Sequence, residues 1–199
     1  MLRQLSIAID IGGTTTAFGF ITEEGEIIFK NVIPTGNSSD PMELVGRLKA
    51  EILENFNKIE NKFTIVGAGI GVPNGNYFNG TVEYPPNLNW KGIIPLAKIF
   101  KEKLSIEVVL TNDANAGALG ELYFGAGKGM KDFIFITLGT GLGSGIVSNG
   151  ELVYGHHGFA GEIGHTIIIQ HGRSCGCGRK GCLEQYCSHD DVENFAVRQ

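Results

Sequence analysis

Short apolar runs, each stopped by glycine or acid, set the rhythm of the first third of the chain. Residues 5–9 run apolar into Asp10. Further runs at 17–21 and 26–33 are separated by Ile11-Gly12-Gly13-Thr14-Thr15-Thr16 and by Glu23-Glu24-Gly25. Runs of this length between turn residues predict three strands, so the first glycine turn joins strand to strand, not strand to helix. The period then changes: Leu44, Val45, Leu48, Ile52 and Phe56 recur at helical spacing. Asp40 is the expected N-cap, Pro41 the first helical residue and Glu43 the far member of a capping box. Residues 63–70 predict a buried strand running into Gly71-Val72-Pro73-Asn74-Gly75-Asn76. A polar-aromatic stretch follows, ending at Pro85-Pro86-Asn87-Leu88-Asn89-Trp90.

A short helix at 95–103 and a strand at 106–110 then deliver Thr111-Asn112-Asp113-Ala114-Asn115-Ala116 into a helix. Its small residues Ala114, Ala116, Gly117, Ala118 and Gly120 permit close packing. A strand at 133–138, the turn Gly139-Thr140-Gly141-Leu142-Gly143-Ser144-Gly145, a strand at 146–148 and an Asn149-Gly150 hairpin turn come next. The run Ile167-Ile168-Ile169 predicts a further buried strand.

Composition narrows the class without choosing a function. With 199 residues, 42% hydrophobic and 19% charged, the chain is long enough for a real core and too apolar for disorder. Its net charge of −5 with no basic run argues against a nucleic-acid surface. Asp10 interrupts the first apolar run before a signal-peptide core forms, and no stretch approaches the roughly 18 apolar residues of a membrane helix. Glycine is the outlier at 30 residues, clustered as expected of backbone loops that approach a ligand closely. Three of the four cysteines lie within eight residues at metal spacing rather than disulfide spacing, which fits a reducing cytoplasm.

The candidate chemistry sits in four places. Cys175-x-Cys177-x4-Cys182 with His165 upstream is the ligand set of a structural, tetrahedral Zn²⁺ site. Glu162, His165 and Glu184 stand at its edges. Asp10 followed by Gly-Gly and three hydroxyls suits phosphate oxygens, against the plainer reading of an aspartate capping a tight turn. A glycine-hydroxyl turn between strands recurs at Gly139, suggesting two related half-domains facing one phosphate chain. Asp113 lies where ligands bind in open α/β sheets, although taken alone an N-cap is the simpler account. Two tempting motifs fail. Gly125-Ala126-Gly127-Lys128-Gly129 lacks the hydroxyl residue and preceding strand of a P-loop. Residues 139–145 lead into a strand, so they are not a dinucleotide fingerprint. Trp90 suits a polar ligand pocket and the core equally.

Taken together, IDIGGTTT, GVPNGN, PPNLNW, TNDANAGALGE, TLGTGLGSGI and GFAGEIGHTII through CGCGRKGCLE resemble the ROK family of sugar kinases and sugar-responsive repressors, in that order along residues 5 to about 187. The resemblance is closest to its bacterial glucokinase-like members. It implies an α/β, actin/hexokinase-like (ribonuclease H-like) two-lobe ATPase fold, with a first lobe at 1–131 and a partial second lobe at 132–199. It also implies ATP-dependent phosphorylation of a hexose or N-acetylhexosamine, with ATP, Mg²⁺ and a structural Zn²⁺. By that resemblance Asp10, Gly12, Gly13 and Thr14 face the phosphates and Mg²⁺, and Gly139, Thr140 and Gly141 form the second phosphate loop. Asp113 matches the catalytic base. Asn112, Asp113, Glu162, His165 and Glu184 match the sugar ligands; His165, Cys175, Cys177 and Cys182 match the zinc ligands. His165 would serve both roles through different ring nitrogens. A cytoplasmic homodimer is the family expectation.

Several positions depart from the family pattern. Asn74 stands where many members carry glycine. His171 is expected as an exposed loop histidine and Cys187 as a free core thiol. Beyond Ser188 the chain no longer reads like the family and is shorter than its members. That predicts a C-terminal truncation, an incomplete second lobe and an exposed face favouring self-association. Besides the kinase, the alternatives are a sugar-responsive regulator and a catalytically inactive sugar- or zinc-binding remnant.

Overall fold

The computed structural model describes residues 2–139 and 141–187. Thr140 and the tail from Ser188 onward, both named above, lie outside the described residues. The chain divides into two compact units, residues 1–113 and 114–199, a boundary ahead of the 131/132 division expected from the sequence.

The first unit is built on a five-stranded sheet. Strands β1 (Arg3–Ile11), β2 (Thr15–Ile21) and β3 (Ile27–Pro34) form the antiparallel meander read from the apolar runs. Helix α1 (Pro41–Phe56) follows, then β4 (Phe63–Gly71), which pairs parallel to β1. Three short strands, β5 (Gly75–Asn76), β6 (Thr81–Glu83) and β7 (Ile93–Ile94), make a small separate sheet. Helix α2 (Leu96–Leu104) leads to β8 (Val108–Thr111), parallel to β4, giving the order β3-β2-β1-β4-β8.

Alternation along β1 determines which face is core. Leu5, Ile7, Ile9 and Ile11 are buried, while Asp10 points to the other face. Each such side chain contributes roughly 1.5–3 kcal/mol on burial. The same cluster takes in Leu44, Val45, Leu48 and Ile52 from α1, as the helical period predicts, and Leu96 and Phe100 from α2. Trp90 is 5% exposed within it, so the tryptophan belongs to the core and not to a polar pocket.

The α1 N-terminus differs in one detail from the expected capping box. Asp40 caps as read, its Oδ1 accepting from the Met42 amide at 2.9 Å. Its own amide, however, donates to Ser38 Oγ at 3.1 Å, the bond the Glu43 carboxylate was expected to accept. A serine two residues upstream reaches that donor without the cost of ordering a longer side chain.

The second unit contains α3 (Asp113–Phe124) apart from its first residue, and a three-stranded antiparallel sheet. Its strands are β9 (Phe133–Leu138), β10 (Leu142–Ser148) and β11 (Glu151–Leu152), in the order β11-β10-β9. The β10 strand begins four residues earlier than residues 146–148 suggested, because Gly143 and Gly145 serve packing. A Cβ at Gly145 would meet Ala118 Cβ at 2.6 Å, and one at Gly143 would meet Ala114 Cβ at 3.1 Å. The small residues of α3 and the glycines of β10 are therefore two sides of one close approach. The Asn149-Gly150 turn has φ of 54° and 81°, as a two-residue hairpin of the primed type requires. Ile134, Ile136 and Leu138 on β9 are exposed among the described residues.

One expected strand is not there. Ile167, Ile168 and Ile169 are 51%, 49% and 47% exposed and make only an isolated bridge from Ile167 to Cys182. An apolar run reads as buried from sequence. Here its backbone is committed instead to closing the cysteine loop, with the Ile168 and Ile169 amides on the Gly181 carbonyl at 2.9 and 3.3 Å.

Candidate active site and metal centre

Sheet register places the first group of candidates. Asp10 lies opposite Gly71 across β1 and β4, and Gly71 lies opposite Thr111 across β4 and β8. Asp10 and the Thr111-Asn112-Asp113 segment thus occupy the same carboxyl-terminal edge of three parallel strands, two strand spacings or about 10 Å apart along the sheet. Burial and the Asp113 carboxylate raise the pKa of Asp10, and Lys30 opposes them. Asp113 is exposed at the first position of α3.

The glycines of this region answer to close approach. A Cβ at Gly13 would meet the Asn87 carbonyl at 2.7 Å, so the 85–90 loop lies directly against the first glycine turn. Leu88 and Trp90 anchor that loop in the core, and Asn89 ties it to the Asn37 carbonyl at 3.0 Å. A Cβ at Gly75 would meet the Thr111 carbonyl at 2.5 Å, bringing the Val72-Pro73-Asn74-Gly75 turn beside Asn112 and Asp113. Asn74 itself has φ 55°, the region that favours glycine, and its side chain donates to the Glu83 and Tyr84 carbonyls at 3.0 and 3.3 Å. Asparagine tolerates that conformation, so the substitution noted in the sequence leaves the turn intact.

In the second unit, Glu162 and His165 sit on a tight loop lying against β10. Gly161, at φ 94°, has the Ser144 carbonyl 2.6 Å from where a Cβ would stand, and Ser144 Oγ donates to the Gly161 carbonyl. A single 3₁₀ turn, Ile163–His165, then separates the two side chains. His165 Nε2 faces Glu162 Oε2 at 4.0 Å, while Nδ1 faces Cys175 Sγ at 3.6 Å and Glu184 Oε1 at 3.4 Å. The two ring nitrogens therefore look in different directions, one toward the thiols and one toward an exposed carboxylate.

The four ligand atoms of His165, Cys175, Cys177 and Cys182 all lie within 4.8 Å of one another. Cys177 Sγ and Cys182 Sγ are 3.7 Å apart. A tetrahedral zinc with bonds of about 2.3 Å to sulfur and about 2.05 Å to nitrogen has S–S edges of about 3.8 Å and S–N edges of about 3.6 Å. Both observed separations match, so the residues present fit the ion. Gly178 and Gly181, at φ 85° and 81°, turn the loop around this centre. Gly176 adopts no such conformation.

The electrostatics of the cluster are uneven. Burial, then the Glu184 carboxylate at 2.8 Å, pushes the Cys175 thiol up to about 12; Arg179 draws Cys177 down to about 6. Glu184 is 15% exposed, and its Oε2 stands 2.8 Å from where a Gly141 Cβ would be. The second glycine turn thus abuts the edge of the metal loop. The stretch 139–145 signalled a ligand loop in the sequence, but nothing in it signalled this neighbour.

Tyr186 was not singled out by its residue type. It closes the loop by accepting the Arg173 amide at 2.6 Å while the Arg173 guanidinium lies 4.9 Å from its ring centre. His171, at φ 59°, is exposed as expected. Cys187 is half-buried, with Sγ 3.2 Å from the Leu183 carbonyl.

A sequence profile described as "ROK family" matches residues 6–198, continuing through the tail that the sequence set apart. A glucokinase of Halalkalibacterium halodurans is 39% identical over 195 residues, 96% of this chain and 58% of its own length. A xylose repressor of Caldicellulosiruptor bescii is 38% identical, over 92% of this chain and 46% of its own. Among solved structures, a ROK family glucokinase from Streptomyces griseus, crystallised with glucose and AMPPNP, superposes with a TM-score of 0.81 at 37% identity. That match covers 98% of this chain and 60% of the other. The chain therefore spans about three-fifths of the length of the glucokinases it matches.

Proposed function

The chain belongs to the ROK family, and from that membership we propose that it serves ATP-dependent transfer of a phosphoryl group to a hexose or N-acetylhexosamine hydroxyl. The observation that carries this reading is the common strand edge that sets Asp10 beside the Asn112-Asp113 pair. A carboxylate at Asp10 whose pKa is raised by burial and by the Asp113 carboxylate sits where a cation would be favoured.

In this proposal Asp113 accepts the proton of the attacking sugar hydroxyl, a role that typically contributes 10²–10⁴-fold. Asn112, Glu162, His165 and Glu184 hydrogen-bond the remaining hydroxyls. Gly12, Gly13 and Thr14, with Gly139, Thr140 and Gly141, present backbone donors to the phosphates. Mg²⁺, held near Asp10, neutralises charge on the transferred group when bound. Zinc on His165, Cys175, Cys177 and Cys182 is structural: four protein ligands leave no open position. Bound there, it would fix the ring of His165, whose Nδ1 faces Cys175 Sγ and whose Nε2, facing Glu162, would be left for the sugar. A cytoplasmic homodimer accompanies this reading as the family expectation.

The 38% identical xylose repressor supports a second reading, in which the same sugar ligands sense rather than phosphorylate. A coupled ATP assay across glucose, mannose, fructose and N-acetylated hexosamines tests the first. Turnover with one of them supports the kinase, and sugar binding without turnover favours a sensor or an inactive binding protein.

A further inference from the structure

A buried polar cluster behind the first glycine turn has no part in the chemistry above. Thr16 and Thr35 are 0% and 5% exposed, and their hydroxyls lie 2.9 Å apart. Thr35 Oγ1 donates to the Gly12 carbonyl at 2.7 Å, and its amide donates to the Thr14 carbonyl at 2.9 Å. A hydroxyl has one hydrogen to give, so with that of Thr35 committed to Gly12, Thr16 must donate into Thr35. Behind Thr35 stands Arg47 from α1, whose Nη1 and Nη2 donate to the Pro34 and Thr35 carbonyls at 2.7 and 2.5 Å.

We propose that Thr35, held by Arg47, is a positioning residue that sets the orientation of the Gly12–Gly13 peptide for phosphate binding. In a trans peptide the C=O and N–H point in opposite directions. Drawing the Gly12 carbonyl inward onto Thr35 therefore turns the Gly13 N–H outward, away from the core. Between two glycines the peptide has little steric resistance to flipping, so the hydroxyl decides which of its groups meets an anion. A carbonyl in that place would repel phosphate. Thr35 touches no reacting atom and acts through Gly12.

This inference rests on the kinase reading for its ligand, but not for its geometry. Mg·ATP and hexose affinities of the wild-type chain, Thr35→Val and Thr35→Ser test it. Valine keeps the β-branched shape and removes the hydroxyl. The expected result is a loss of Mg·ATP affinity of roughly tenfold in Thr35→Val, about the worth of one hydrogen bond. Hexose affinity should be unchanged, and Thr35→Ser should restore nucleotide binding. A folded Thr35→Val that binds Mg·ATP as the wild type does overturns the proposal, as does failure of serine to rescue. Should Thr35→Val not fold, Arg47→Gln leaves the hydroxyl in place and is expected to show the same selective loss, with unchanged affinity again the contrary result. If the wild-type chain binds no Mg·ATP, the kinase reading fails on its own. The Gly13 amide then decides the clamp: slower hydrogen exchange, as the released N–H turns inward, and a shifted resonance in Thr35→Val, restored by serine, support it, and identical spectra and exchange refute it.

Discussion

Cys177 Sγ lies 3.7 Å from Cys182 Sγ, the edge length of a zinc tetrahedron, although four residues of chain separate the two cysteines. The loop is folded for the ion by bonds that do not involve it. The Cys175 amide donates to the Arg179 carbonyl at 2.9 Å, and the Gly181 amide donates to the Arg173 carbonyl at 2.8 Å.

Replacing Cys177 by serine should therefore remove zinc while leaving the first unit folded. Metal analysis is expected to fall from one equivalent to none. The melting temperature should drop by at least roughly 5 °C, given about 2–4 °C per kcal/mol for a chain of this size. An unchanged metal content and melt would show that the four side chains do not act as a ligand set.

Asp113→Asn should retain hexose affinity and lose kcat by about 10²–10⁴-fold, because asparagine keeps the shape and cannot take a proton. Steady-state kinetics against a direct sugar-binding measurement separates the two quantities. A kcat near that of the wild type removes Asp113 from the mechanism.

Asp10 supplies a pH dependence with a definite sign. Its pKa in the fold is raised above the ordinary 3.8 by burial and by Asp113. Its contribution to stability is therefore fully present below 3.8 and is lost as pH rises through the raised value. Asp10→Asn should accordingly melt higher than the wild type at neutral pH in the absence of ligands, with the advantage shrinking as the buffer approaches the ordinary carboxylate range. The same variant should lose Mg·ATP binding. A neutral-pH melt below that of the wild type would contradict the sign.

Trp90→Ala should destabilise the first unit by about 3–5 kcal/mol in denaturant titration, the usual cost of removing a buried large aromatic. Trp90 is placed in the core with Leu88 and Ile94, so its fluorescence is expected to respond little to hexose. A large sugar-dependent emission change would return it to a ligand pocket.

Periodicity made most of the scaffold legible. The β1–β3 meander, α1, β4, α2, β8, α3 and β9 lie where the apolar runs and helical spacing put them, because each is an amphipathic element whose buried face is written into its own residues. The convergence of the Cys/His cluster was equally legible: the ligand atoms of His165, Cys175, Cys177 and Cys182 do lie within 4.8 Å of one another. Legibility failed where long-range contacts decide. Ile167–Ile169 has the composition of a core strand and is exposed, since its amides are spent on Gly181. Gly143 and Gly145 resembled a ligand loop and instead accept the alanines of α3. Glu43 had the right spacing for a capping box, but Ser38 reached the donor first.

What the sequence determined alone is thus the set of elements and the kinds of chemistry available to them, since both depend on residues near one another in the chain. Which groups stand together was settled only by tertiary structure. Parallel register across β1, β4 and β8 brings Asp10 to the edge that carries Asp113, over a hundred residues later. The folding of β3 onto β2 and of α1 behind it brings Thr35 and Arg47 to Gly12. The physical reason is the same in both cases. A strand's partner and the far end of a hydrogen bond depend on how whole faces bury against one another, and no local pattern of residues encodes that alone.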